Sequence, residues 1–158
     1  MEVAVDIVGV FEVENAENPF VLLRDSAGRS FPIWVGPCEA MAIQFALSGA
    51  MLSRPLTHDL MLSLLERVGA TLQRVLIDDL SNQVFYAKLF LSTPGGELSV
   101  DSRPSDALAL AVRAQVPVLV AEAVIQEAML DQEITIQEEP PWEEGESPEG
   151  DEAPPPEA

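Results

Sequence analysis

The stretch Ser99–Leu110 reads Ser-Val-Asp-Ser-Arg-Pro-Ser-Asp-Ala-Leu-Ala-Leu and brings two acids, Asp101 and Asp106, to either side of Arg103. Asp101 should end a strand and Asp106 should lie in the first turn of a helix, so the two carboxylates can converge. A converging pair is a candidate site for a hard divalent ion such as Mg²⁺ or Mn²⁺. Arg103 between them could pair with either acid or reach a phosphate bidentately. The same residues equally suit a structural clamp that locks the corner and caps exposed helix N–H groups. A second stretch, Ile33–Ile43, repeats the phrase: a β-prone run, Pro37, one residue, Glu39, then Ala40. His58, the only histidine, and Asp59 open another helix, and histidine is the side chain suited to proton transfer near neutral pH. The candidate catalytic set is therefore Asp101, Arg103, Asp106, His58, Asp59 and Glu39, with Asp101 and Asp106 the candidate metal ligands.

The elements that must hold these groups follow from local pattern. Val3 to Val10 alternates as a half-buried strand, and Phe20–Arg24 and Ser30–Val35 flank a turn at Asp25-Ser26-Ala27-Gly28, which reads as a hairpin. Pro37 opens a helix to about Leu47, apolar nearly all round and so expected to be buried. Thr57 is the expected N-cap of the next helix, whose stripe is Leu60, Met61, Leu64, Leu65 and Val68. Two β-prone runs, Thr71–Asp78 and Val84–Leu91, are joined by a bend at residues 79–83. A third strand precedes Pro104, which begins a helix to about Ala114. A short strand, Val118–Ala121, and a helix from Glu122 complete the body. The order strand, strand, strand, helix, helix occurs twice, with the two prolines marking a repeat. The expected fold is α+β, a bent and mostly antiparallel sheet with helices, built as a duplicated βββαα unit. Trp34, Phe31, Phe45, Phe85 and Tyr86 fall on core-periodic elements and read as packing. Cys38 reads as a buried structural cysteine.

Composition narrows the classes further. The 158-residue chain suits one domain of residues 1–137 followed by a tail, 138–158, rich in acids and proline and expected to be disordered. The tail holds nine acids and no base, and the rest still carries eighteen acids against eight Lys and Arg. No basic patch marks a nucleic-acid surface. No apolar run approaches the ~20 residues of a membrane helix. A lone cysteine and no basic leader suit a cytoplasmic location.

In Phe31–Pro37, Glu39-Ala40, Arg54-Pro55-Leu56-Thr57-His58-Asp59-Leu60 and Val100–Ala111, the chain resembles the bifunctional nuclease family over about residues 1–130. That resemblance implies an α+β fold with a strongly bent antiparallel sheet, a homodimer, and nuclease activity on RNA and DNA. It carries over no catalytic residue. Two functions follow as expectations: a nuclease, with Mg²⁺ or Mn²⁺ as its cofactor, or a non-catalytic homodimeric interaction module with an acidic tail. Nucleic acid as a partner must be reconciled with the acidic charge.

Overall fold

The computed structural model describes residues 1–137, with side chains as far as Gln132. The tail lies outside the described residues. Seven strands and four helices follow one another as β1 (Glu2–Phe11), β2 (Phe20–Asp25), β3 (Ser30–Trp34), α1 (Pro37–Ser48), α2 (Thr57–Arg67), β4 (Thr71–Ser81), β5 (Val84–Thr93), β6 (Gly96–Ser102), α3 (Pro104–Ala114), β7 (Val118–Ala121) and α4 (Glu122–Gln137). One mixed sheet runs β3-β2-β1-β7-β4-β5-β6. Each half of the chain supplies an antiparallel meander, and β7 joins them, antiparallel to β1 and parallel to β4. The sheet stays open, with β3 and β6 as its edges.

Those edge strands are the ones that turn into the two proline-led helices. The sheet is bent enough to bring its halves together: Phe31 of β3 stacks on Phe85 of β5 with ring centroids 6.1 Å apart, although four strands separate them in the ladder. Helix α3 lies in the middle, and Ala107 through Ala111 are buried on every side, as an all-apolar helix requires. Phe31, Leu23, Ile43, Ile77, Leu110 and Ile125 complete the fully buried core, each contributing about 1.5–3 kcal/mol of burial. At the opposite end from the sheet edges' helices, Arg29 bridges Asp25 and Glu122 and ties the β2–β3 turn to the start of α4.

Several local expectations change. Helix α1 buries only Ala40 and Ile43, and Met41 is exposed, because α1 packs only through the side that meets α3 and β1. The Leu60–Leu64–Val68 stripe of α2 faces outward, at 50%, 57% and 72% exposure, while His58, Leu62 and Leu65 turn inward. Leu56, not Thr57, occupies the N-cap position of α2. Strand β4 runs through Asp79 to Ser81, and the turn to β5 is only Asn82-Gln83, both with positive φ. Cys38 is exposed in the first turn of α1.

Candidate active site

The two strand-to-helix corners meet. Gly36 is the N-cap of α1 and Arg103 that of α3; Pro37 and Pro104 follow at the first helical position, and Glu39 and Asp106 both fall in the first turn. Proline there forfeits no hydrogen bond, and a carboxylate there faces the positive end of the helix. Arg103 reaches between the corners. Its Nε donates to Asp106 Oδ2 at 2.8 Å on its own helix, and its Nη1 donates to Glu39 Oε1 at 3.0 Å on the other. Nη2 makes no hydrogen bond among the described residues, and the side chain is 63% exposed. The Glu39 carboxylate folds back over Gly36, where a Cβ would overlap it. A side chain there would displace that carboxylate, and no unusual φ is involved.

His58 completes the cluster from α2. Its Nε2 lies 2.9 Å from Asp106 Oδ1. Burial pushes the Asp106 carboxyl upward, but hydrogen bonds from Arg103 and then His58 outweigh it and hold the group below the ordinary carboxylate range. An ionised carboxylate only accepts, so Nε2 carries the donated proton, and Nδ1 is the ring's one position for accepting a proton. The His58 side chain is 11% exposed, and Nδ1 has no hydrogen-bond partner among the described residues. The Glu39 carboxyl is also lowered, by its own backbone N–H first and Arg103 second. Arg103 is raised by the hydrogen bonds to Asp106 and Glu39.

Asp59, one residue on, has a structural setting. Its Oδ2 accepts the Leu56 N–H at 2.9 Å, and its Oδ1 accepts Arg113 Nε at 3.0 Å, so it caps α2 and fastens it to α3. Asp101 is apart from the cluster. It stands across the ladder from Lys88, which pairs with Asp78 at 2.6 Å, and has no hydrogen bond to Arg103 or Asp106. A bulge between Ile77 and Asp79 takes Asp78 out of the β4–β5 register. The structure thus gathers Glu39, Arg103, Asp106 and His58, and it leaves Asp101 on β6. Strand β6, which carries Asp101 and ends at Ser102, and the helix holding Asp106 are separated by the corner that Arg103 occupies.

A cleft of about 350 Å³ opens beside Arg103 and Glu39 and is lined also by Trp34, Gln83, Phe85, Pro104 and Ser105, while His58 and Asp106 stand behind Arg103 and are not part of its lining. Trp34 is 54% exposed and Tyr86 is exposed too, against the expectation that both pack. The signal was present in the period-two alternation: Phe31, Ile33 and Val35 point inward, which sets Trp34 on the opposite side of the strand.

An α+β domain whose paired strand–Pro–helix corners share one arginine is thus defined by its own geometry. Residues 21–133 match the family model described as the bifunctional nuclease domain, and the chain belongs to that family. The uncharacterized protein Rv1829 of Mycobacterium tuberculosis is 43% identical over 128 residues, 80% of this chain and 76% of that protein. Bifunctional nuclease 1 of Arabidopsis thaliana is 28% identical over 110 residues, covering 66% of this chain and 34% of the plant protein. Bifunctional nuclease 2 of Oryza sativa subsp. japonica is 29% identical over 112 residues, again with 34% of the plant protein covered. The chain therefore spans about a third of these plant relatives. No helix among the described residues is long and apolar enough to cross a membrane.

Proposed function

We propose that this domain is a nuclease that hydrolyses phosphodiester bonds of RNA and DNA, with His58, Asp106, Arg103 and Glu39 as its working residues. The observation that supports it is a carboxylate-held histidine joined through Asp106 to an arginine that lines an open cleft. Arg103 Nη2 donates to a phosphate oxygen and stabilises the charge that builds on it. His58 Nδ1 takes a proton from the attacking water, and Asp106 orients the ring and stabilises the imidazolium that forms. The proton then returns to the departing oxygen, from His58 or from solvent. Glu39 is a positioning residue that holds Arg103 across the corner.

Divalent metal dependence was the sequence expectation, and the residues present do not fit a resident ion. Arg103 already occupies the space between the Glu39 and Asp106 carboxylates, and among the described residues no three His, Cys, Asp or Glu side chains are grouped to hold one. No step is assigned to a metal. The test mixes purified protein with RNA and DNA oligonucleotides in EDTA, Mg²⁺ and Mn²⁺, with Arg103→Ala and Asp106→Asn alongside. Cleavage by the native protein that both variants lose supports the reading; variants that cleave as well as the native chain refute it.

A homodimer belongs to the same proposal. The exposed Leu60–Leu64–Val68 face of α2 suits burial against a second copy. A cytoplasmic setting is part of the reading too, since an exposed lone thiol tolerates a reducing compartment. That apolar face also favours the alternative, a non-catalytic homodimeric module, which takes precedence if no nucleic acid binds at low salt.

A further inference from the structure

Resting on the nuclease reading, we propose that the cleft accepts one unpaired nucleotide, its phosphate on Arg103 and its base stacked on Trp34, so that the substrate strand must be single. Trp34 ends the edge strand β3 and leaves 54% of its surface in water. The ring is not loose. It packs on Phe20 with centroids 5.1 Å apart at 60°, and Phe20 stacks on Phe11 at 5.5 Å. A large apolar side chain fixed in place and left exposed is the arrangement base stacking requires, since every base offers a π-face.

Two cavities meet at this ring. The cleft of about 350 Å³ runs from Trp34 to Arg103, and a second of about 590 Å³ runs from Trp34 along α4 to Gln132. Both fall in the size range of small-ligand sites. Gln83 lines both, and it sits at φ +63° in the two-residue turn between β4 and β5, where glycine would be unstrained. Its amide carries both donors and an acceptor to the place where a base edge would lie.

Charge decides between single strand and duplex. A duplex is held by many Lys and Arg along its phosphates. Here five of the eight cations, Arg29, Arg74, Lys88, Arg103 and Arg113, are in ion pairs with carboxylates, and Arg103 is the one cation lining this cleft. One phosphate contact in an acidic surface cannot hold a rigid polyanion. Stacking must supply the remaining affinity, and a base inside a duplex cannot reach Trp34 without leaving its partner.

The test uses the full chain carrying His58→Asn, to suppress cleavage, and a labelled 12-nucleotide DNA, single-stranded or annealed, at low salt with anisotropy as the readout. The single strand should bind at least about tenfold more tightly than the duplex. Adding Trp34→Ala should weaken single-strand binding about tenfold, and Trp34→Phe should restore most of it. Equal binding with and without Trp34, tighter binding of the duplex, or no binding of either overturns the proposal. Cleavage on the otherwise native chain separates the two readings. Trp34-dependent binding with no cleavage by the native chain retains this inference and refutes the nuclease; cleavage indifferent to Trp34 refutes this inference alone.

Discussion

Arg103 Nη1 lies 3.0 Å from Glu39 Oε1, across 64 residues of sequence, and so joins the first turns of two helices that begin with the same phrase. Arg103 stands where the first copy has Gly36, and Glu39 stands where the second has Asp106. One corner supplies the arginine, the other the space for a carboxylate to turn toward it, and the shared cation prevents two like charges from facing each other unscreened.

Replacing Arg103 by Ala should lower kcat/KM on an oligonucleotide by about a hundredfold or more, the effect of losing one donor to the developing charge. Arg103→Lys should recover part of it, because an ammonium keeps the charge but not the fork that spans Asp106 and Glu39. Single-turnover rates of the three proteins check this, and equal rates would remove Arg103 from the reaction.

Asp106→Asn and Asp101→Asn should behave differently. Asp106 orients His58, and an amide there can present the wrong partner atom to Nε2; the rate should fall about a hundredfold or more. Asp101 faces Lys88 on the β5–β6 ladder, and its amide variant should cleave within a few-fold of the native chain. Comparable losses in both would mean that Asp101 joins the site after all and would return the metal reading to consideration.

How much of this could be read from sequence depends on the range of the cause. The helix starts at Pro37 and Pro104 are local, set by proline geometry and by acids in the first turn, and they stand where the sequence places them. That Arg103 crosses to Glu39 was hidden, because it depends on the curvature that brings Phe31 against Phe85. For α2, periodicity gives the stripe Leu60, Met61, Leu64, Leu65 and Val68, but of these only Leu65 joins His58 and Leu62 in facing the core. His58 goes inward because Asp106 receives it there, a contact no local pattern reveals.

Acid should dissolve the corner. Glu39 and Asp106 are both held below the ordinary carboxylate range, so each contributes stability that is complete above that range, about pH 4, and is lost as pH falls through its lowered folded value. Thermal melts between pH 2 and 6 should show this decline in the native chain and a shallower one in Arg103→Met, which removes a lowering interaction from both acids. Parallel curves would mean that Arg103 contributes nothing to their shifts.

Gly36→Ala tests the corner without replacing a charged group. The added Cβ overlaps the Glu39 carboxylate, which is the far end of a flexible side chain and can swing away, so the fold should lose only about 1 kcal/mol or less. Arg103 then keeps Asp106 but loses Glu39, and cleavage should fall with little change in melting temperature. An unchanged rate would reduce Glu39 to a surface partner.

The outward stripe of α2 predicts self-association. Leu60, Leu64 and Val68 recur every fourth residue on one face, and Met61 beside them is also exposed. A helix face this apolar is stable in water chiefly when something covers it. Leu60→Glu with Leu64→Glu would place two carboxylates at the centre of any such contact, where burying unpaired charge is prohibitive. Light scattering on the native chain should give the mass of two copies, and the double variant the mass of one with its melting transition preserved, because neither leucine packs on the core. A native chain that already scatters as a single copy would leave the face to a different partner.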